Sequence, residues 1–186
     1  MTAHLVSRRI FSVAAGAFAA GLGVGAQADA QNGSLPQSAD RLGISNANAA
    51  IHQEVVFKAS AKRVYNALTN ARQFDKIVLL SGVMKSMSLK PAPAQIDPEP
   101  GGAFALFGGY ITGRNIELTP YERIVQAWRA ASWAPHIYSI ARFELAAHPE
   151  GVKLSFDHTG FPNEAAMSLA SGWQRHYWEP LAKLVA

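Results

Sequence analysis

Residues 163–186, NEAAMSLASGWQRHYWEPLAKLVA, decide the fold of this chain. Their apolar side chains recur at steps of three and four, which places them on one face of a helix about five turns long. That face carries Ala166, Ala170, Trp173, Tyr177, Leu181 and Leu184, and a second, narrower ridge carries Met167 and Trp178. Because the residues before it mostly have the pattern of short strands, this helix is predicted to bury its apolar face against a sheet.

Two residues interrupt the helical pattern. Gly172 lies near the middle of the helix, where glycine costs about 1 kcal/mol relative to alanine, so we expect a strand or another side chain to cross closely there. Pro180 lacks a backbone donor and therefore predicts a kink in the last turns.

The chain before this helix has the pattern of one strand, two helices and then a run of strands. Residues 51–59 alternate as a strand does, and Ser60 is a suitable N-cap for a helix over 61–70. A second short helix is predicted over 70–80, whereas 83–93 fit no regular element. Turn signals about every 8–12 residues then predict an antiparallel meander, and the fold class is α+β. The predicted strands are 95–97, 103–107, 110–118, 123–130, 137–146 and 152–159.

Composition narrows the classes of function. The chain has 186 residues, of which 49% are hydrophobic and 16% are charged, as expected for a folded core. It contains no cysteine, which excludes disulfides, thiol catalysis and cysteine-ligated metal sites. The net charge of +4 is scattered rather than clustered, so the sequence predicts no nucleic-acid partner.

The amino terminus has the features of an export signal. Arg8-Arg9 precede an apolar run over 12–26, which ends in the small-x-small sites Ala26-Gln27-Ala28 and Ala28-Asp29-Ala30. The paired arginines resemble a twin-arginine signal, which implies the twin-arginine export machinery as a partner and a periplasmic location. Residues 1–30 are the predicted signal peptide, cleaved near Ala28 or Ala30. An uncleaved anchor is the alternative, but the run is shorter than the ~20 residues that a membrane span needs, and no span is expected after cleavage.

Residues 31–50 are rich in Gly, Ser, Asn, Gln and Ala and show almost no periodicity. This composition predicts a flexible linker between the signal and a domain over 51–186.

Four motifs within 51–186 carry a family resemblance. They are Val64-Tyr65-Asn66-Ala67-Leu68-Thr69, Pro100-Gly101-Gly102, the run Leu118 to Val125 with Trp128, and His158 to Pro162 with Gly172-Trp173. In this order they resemble the SRPBCC (START-like) superfamily, and within it the family named for the activator of heat-shock protein 90 ATPase homologues. The chain departs from the family pattern at Ala127, where the family has threonine, and over 75–95, which lack the family's tryptophan.

The resemblance implies a helix-grip fold. In such a fold an antiparallel curved sheet, here of about six or seven strands, wraps over the long C-terminal helix, with two short helices after the first strand. It also implies an enclosed, mainly apolar cavity between sheet and helix. The ligand-binding residues expected there are Phe74, Tyr110, Trp128, His158, Trp173 and Tyr177. The alternative is that these aromatic side chains simply fill the core.

The sequence predicts no catalytic residue, cofactor or metal. Asp157 and His158 are adjacent in a strand and point to opposite faces, so they cannot form a simple acid–base pair. His136, His158 and His176 have no recognised metal-binding spacing. The chain also lacks the nucleotide-binding and hydrolase motifs.

The leading interpretation is an exported, non-enzymatic protein that holds a small apolar or amphipathic molecule. An enzyme of the same fold, of the cyclase, dehydratase or hydrolase type, is the alternative, and two polar side chains converging in the cavity would favour it. A co-chaperone that activates an ATPase is a third possibility from the family name. Export argues against it, because the periplasm lacks both the cytosolic chaperone and ATP.

Overall fold

A computed structural model of the chain describes residues 5–6 and 50–186. Seven strands of the second range form one antiparallel, curved sheet, as the resemblance implied. The seven strands are β2 (Ala50–Phe57), β3 (Gln95–Ile96), β4 (Ala103–Leu106), β5 (Ile111–Thr119), β6 (Arg123–Ala130), β7 (Ser139–His148) and β8 (Gly151–Thr159). A two-residue strand, β1 (Leu5–Val6), pairs with the outer edge of the sheet at β2, and the spatial order is β1-β2-β8-β7-β6-β5-β4-β3. Apart from Leu5–Val6 and Ala50, the predicted signal peptide and linker lie outside the described residues.

Two short helices follow β2, and each begins at a side-chain cap. Helix α1 (Ala61–Thr69) starts where the Ser60 hydroxyl accepts a hydrogen bond from the Arg63 amide. Helix α2 (Ala71–Ser81) starts in the same way at Asn70 and ends at Gly82, whose φ of 64° is left-handed. A third helix, α3 (Val83–Ser86), lies in the stretch that fitted no regular element.

The Pro-Gly-Gly turn before β4 is held by close backbone packing. Gly101 has a φ of 84°, and a Cβ at Gly102 would lie 2.5 Å from the Asp97 carbonyl oxygen. The buried Asn115 donates from its side-chain amide to the same carbonyl, at 2.8 Å. The turn therefore needs glycine for both its conformation and its clearance.

The C-terminal helix is a composite of four segments. It consists of a 3₁₀ turn (Asn163–Ala165), α4 (Ala166–Trp173), a π turn (Gln174–Trp178) and α5 (Glu179–Val185). In the π turn the Glu179 amide donates to the Gln174 carbonyl, five residues back. Close to Pro180, where the missing donor predicted a kink, the helix widens by one residue in this π turn.

The wider turn changes which side chains are buried. Trp173, Tyr177 and Leu181 lie in the core, as predicted. The extra residue rotates the following segment, so Trp178 and Val185 are buried as well. The predicted pairing of Met167 with Trp178 on one ridge is wrong, because Met167 is 87% exposed, and Leu184 is only half-buried. Sequence periodicity assumes 3.6 residues per turn throughout and does not detect a π turn.

Aromatic rings join the helix to the sheet. The Trp173 ring lies 4.3 Å from Phe156 of β8 and 5.7 Å from Phe143 of β7, centroid to centroid. On the helix itself, Trp173 stacks on Trp178 at an interplanar angle of 19°. This cluster buries large apolar rings in close contact and is the main packing between the two layers.

A buried hydrogen-bond chain crosses the same interface. The Trp173 indole donates to His158 Nδ1 at 3.0 Å, and His158 Nε2 lies 2.6 Å from Ser139 Oγ. The Ser139 hydroxyl in turn donates to the Trp128 carbonyl at 3.0 Å. Since an indole nitrogen only donates and the single serine proton is already used, His158 carries its proton on Nε2. Burial lowers the pKa of His158 to about 3, so this imidazole is neutral at neutral pH.

The second indole of the helix is also bonded to the sheet. Trp178 donates to the side-chain oxygen of Gln53 on β2. The Gln53 amide nitrogen donates back to the Ala170 carbonyl at 2.9 Å. Thus β2, β7 and β8 are all tied to one helix through side chains whose polar atoms have partners.

Removing the Trp173 side chain is expected to destabilise the protein strongly. Trp173→Ala should cost about 3–5 kcal/mol through lost burial and a residual cavity. Trp173→Phe keeps an aromatic ring, although a smaller one, and leaves His158 Nδ1 buried without a donor, which alone costs about 1–3 kcal/mol. Urea unfolding measures both. Met167→Ala on the exposed face is the control, with a change within about 0.5 kcal/mol. A loss below about 1 kcal/mol for Trp173→Ala would contradict this packing.

The buried histidine also predicts a dependence of stability on pH. The unfolded chain takes up a proton at His158 near its ordinary pKa, whereas the folded protein does so only near pH 3. The contribution of His158 to the free energy of unfolding is therefore fully present above pH 6.5. As the pH decreases below 6.5, this contribution is lost at up to about 1.4 kcal/mol per pH unit. His158→Gln should lack this component. The measurement is the free energy of unfolding of both proteins at pH 7, 6, 5 and 4; parallel losses in the two would contradict the prediction.

Candidate functional site

A cleft of about 570 Å³ lies between the first half of the C-terminal helix and the adjoining end of the sheet. The π turn closes one side, and α3 with the loop after it closes another. Six aromatic side chains contribute to its walls: Phe107, Tyr110, Trp128, Trp133, Trp173 and Tyr177. Its rim consists of exposed residues such as Met87 and Ser132, so the cleft opens to solvent rather than forming the enclosed cavity expected from the sequence.

The structure brings four of the six predicted ligand-binding residues to this cleft: Tyr110, Trp128, Trp173 and Tyr177. The other two, Phe74 and His158, lie behind its walls. Phe74 is 1% exposed and packs edge-on against Tyr177, with 5.6 Å between ring centroids. His158 is fully buried behind Trp128 and Trp173. His158 therefore does not line the cleft as expected, because its strand ends under the helix rather than beside the opening.

Sequence reasoning missed two aromatic wall residues. Phe107 has a φ of 51° in the 3₁₀ turn Phe107–Gly109, which directs its ring against Tyr177 at 5.3 Å. Trp133 belongs to the loop between β6 and β7, and its ring lies 5.3 Å from that of Trp128. The sequence features that could have indicated these two residues are the Gly108-Gly109 pair after Phe107 and the position of Trp133 in a loop. Neither feature predicts towards which element the ring points.

Gly172 also borders the cleft, and the expected close crossing is absent. A Cβ built there would have one side-chain atom of another residue within 4 Å, His176 Cδ2 at 4.0 Å. The glycine thus leaves open space on the cleft side of the helix instead of admitting a neighbouring strand.

Two polar atoms in the cleft walls are buried without a hydrogen-bond partner. They are the indole nitrogen of Trp128 and the hydroxyl oxygen of Tyr177. Burial raises the pKa of Tyr177 far above its ordinary value; the Trp128 N–H, near the phenol oxygen but outside hydrogen-bond geometry, offsets part of that rise. Tyr177 is therefore a neutral phenol, and both groups have a proton to donate.

The rim carries mixed charge. Arg175 and Glu164 are exposed there, and the Arg175 guanidinium is bonded to the Ser171 hydroxyl of its own helix at 3.2 Å. His176 also lines the cleft, and its Nδ1 has no partner. Burial, together with the charge of Arg175, lowers the pKa of His176, so this imidazole is neutral at neutral pH although Glu179 acts in the opposite direction.

Other groups considered from the sequence do not converge on the cleft. Asp157 points to the outer face of the sheet, where its carboxylate accepts from His52 at 2.8 Å, and so it does not pair with His158. Across 50–186, together with 5–6, no group of three or more His, Asp or Glu side chains is arranged to hold a metal ion. Within the same residues, no helix has both the length and the apolarity to cross a membrane.

Comparison with known sequences places the chain in a family. The family described as "Activator of Hsp90 ATPase homolog 1-like protein" matches residues 58–186. The activator of 90 kDa heat shock protein ATPase homolog 2 of Mus musculus is 24% identical over 151 residues, covering 81% of this chain and 42% of that protein. Homolog 1 of Homo sapiens is 28% identical over 88 residues, covering 47% of this chain and 26% of that protein. The chain spans less than half the length of these relatives.

Solved structures agree on the fold. An Hsp90 activator from Plasmodium falciparum has a TM-score of 0.58 at 24% identity, over 73% of this chain and 93% of the other. A protein from Chromobacterium violaceum has a TM-score of 0.57 at 26% identity, over 73% and 96%. The family model matches residues 58–186, and the four sequence motifs and the packing of the sheet on the C-terminal helix agree with that match. The chain belongs to the family named for activator of Hsp90 ATPase homolog 1, within the SRPBCC fold.

Proposed function

We propose that this protein binds a small apolar or amphipathic molecule in the cleft between its C-terminal helix and its sheet. One observation carries the proposal: a space of about 570 Å³ with six aromatic side chains in its walls. Ligand sites are typically clefts of this size, about 300–1,000 Å³, that are mainly apolar with a few polar groups. Aromatic walls offer large contact areas with little loss of side-chain freedom.

The first half of the helix supports this proposal because it is less tightly packed than the second half. Residues from Ala166 to Gly172 are all exposed or half-buried, whereas the second half of the helix contains its buried side chains, among them Trp173, Trp178 and Leu181. A helix face that borders open space costs stability unless something covers it, and a small apolar ligand would cover it.

An enzyme using the same cleft is the second candidate. His176 favours it: an unpartnered, neutral imidazole in the cleft wall has the protonation state of a general base. Loss of turnover in His176→Gln with retained ligand binding would favour catalysis over binding alone.

Activation of a chaperone ATPase is the function named for the relatives. For this chain it is the weaker proposal, since the chain spans less than half of those relatives and has the features of an exported protein.

Binding is tested with a fluorescent apolar probe, N-phenyl-1-naphthylamine, titrated into the mature protein. Saturable binding is expected. In Gly172→Phe the new benzyl group occupies the space beside His176 and excludes part of the probe from the cleft. If the probe loses about 1.4 kcal/mol of contact with the walls, its binding weakens roughly tenfold.

The matched control is Leu79→Phe, which changes an exposed apolar residue of α2 outside the cleft and is expected to bind the probe normally. If the wild type shows no saturable binding, or if Gly172→Phe binds as tightly as Leu79→Phe, the cleft is not a binding site.

We also propose that the protein is exported through the twin-arginine route and cleaved near Ala28 or Ala30, on the sequence features of residues 1–30. Replacing Arg8 and Arg9 together by lysine should leave full-length precursor in the cytoplasm. Fractionation and mass measurement of the mature protein check this, with Arg72→Lys/Arg142→Lys as the charge-matched control. An unchanged periplasmic yield in the signal variant would rule out this route.

A further inference from the structure

We propose that the surface formed by α2, α3 and the loop as far as residue 90 docks on a membrane that contains anionic phospholipids. This basic apolar face exposes three apolar side chains and four cations: Leu79, Leu80, Met87, Arg72, Lys76, Lys85 and Lys90. The proposal names a partner surface and goes beyond the binding of a small molecule in the cleft.

The first observation is the uneven distribution of charge. Residues 58–96 contain seven of the 17 lysines and arginines but only one of the 13 acidic residues, Asp75, and so have a net charge of +6. The other ten basic and twelve acidic residues of the chain sum to −2. The basic excess forms no continuous run in the sequence, but the fold gathers it on the layer of short helices.

The four cations of the basic apolar face have no acidic partner. Within the described residues none of them takes part in an ion pair, and the ion pairs found there lie on the outer face of the sheet. The one acid of the stretch, Asp75, is half-buried and accepts a hydrogen bond from the Ala94 amide at 2.8 Å. The charge of this face is therefore available to an anionic surface.

The same face exposes large apolar side chains among its cations. Leu79 is 80% exposed and Leu80 is 45% exposed, and both lie one turn beyond Lys76 on α2. Neither leucine belongs to the buried side of the helix. A helix that exposes cations and apolar residues together is typical of segments that lie in the interface of a membrane.

The basic apolar face is continuous with the cleft. Gly82 ends α2 and directly precedes α3. The segment that follows lines the cleft with Val83, Ser86, Met87 and Leu89. A docked membrane would therefore lie beside the rim of the cleft, and an apolar molecule would pass between lipid and cleft with little contact with water. This last consequence rests on the proposed binding function.

The composition of the face favours lipid over an acidic protein. Protein interfaces are enriched in aromatic residues and depleted in lysine. Three of the four cations here are lysines, and the one aromatic residue of the segment, Phe74, is only 1% exposed. Flexible lysines beside exposed leucines suit a layer of anionic headgroups over hydrocarbon.

The test measures how the mature protein co-sediments with vesicles of phosphatidylcholine, with and without phosphatidylglycerol. The wild type should bind the anionic vesicles more tightly, and added salt should weaken that binding. Lys76→Gln/Lys85→Gln/Lys90→Gln should weaken it more than about tenfold, since each cation near the surface contributes roughly fivefold. Leu79→Ser/Leu80→Ser should weaken it roughly tenfold, because the two side chains no longer enter the apolar region.

Each variant has a matched control on the sheet. Arg123→Gln/Arg142→Gln/Lys153→Gln removes the same charge from the outer face of the sheet. Ile116→Ser/Ile140→Ser removes two exposed apolar side chains of β5 and β7. Both controls should bind the anionic vesicles within about twofold of the wild type, because these residues lie outside the docking face.

A second measurement reports insertion. Leu79→Trp should lose fluorescence on vesicles that contain brominated phosphatidylcholine, whereas Ile116→Trp should not; the four natural tryptophans are buried and give a common background.

Equal binding to both kinds of vesicle, or full binding by the lysine variant, would overturn the proposal. Binding that needs the lysines but not the leucines, with Leu79→Trp unquenched, would identify a purely electrostatic contact of the kind that an acidic protein makes, and would also overturn it. No probe for the cleft is present in these measurements, so membrane docking and ligand binding succeed or fail independently.

Discussion

The position of the C-terminal helix depends on one neutral imidazole. His158 accepts from the Trp173 indole with one ring nitrogen and donates to Ser139 with the other, and Ser139 continues to the Trp128 carbonyl. This chain links β8, β7 and β6 to the helix through a single buried side chain. It holds only while the ring is uncharged, because a second ring proton would oppose the Trp173 N–H inside an apolar core. The low pKa of His158 is the consequence of that burial.

The cleft exists because the helix is gripped along only part of its length. From Trp173 onward the rings of the helix fill the space against β7, β8 and α2, and the π turn brings Trp178 into the same core. Before Trp173 the helix residues that line the cleft are mostly small: Ala165, Ser168 and Gly172 leave room in front of β5 and β6, and Leu169 is the one large apolar side chain among them. The carboxyl-terminal half of the helix therefore packs against the sheet, and its amino-terminal half forms one wall of the cleft.

Local patterns in the sequence account for most of the architecture. Alternation and turn residues located the strands to within a few residues, and Ser60 and Asn70 cap the two helices. The fold prediction is confirmed, and Tyr110, Trp128, Trp173 and Tyr177 do face one space. Periodicity could not show the π turn, since one extra residue changes the phase of every later side chain. Periodicity also could not show that Phe74 and His158 lie behind the cleft walls. How deeply a side chain is buried depends on how the helices pack on the sheet and not on the order of the strands. Phe107 and Trp133 reach the cleft from irregular segments, for which sequence gives no direction.

The most direct measurement of this account is the tautomer and charge of His158, read from long-range proton–nitrogen NMR spectra of the folded protein between pH 7 and pH 4.5. The account predicts one proton, fixed on Nε2, and an Nδ1 shift typical of an unprotonated nitrogen that does not change over this range. A ring that titrates near its ordinary pKa of 6.5, or one that carries its proton on Nδ1, would contradict the hydrogen-bond chain that holds the helix on the sheet.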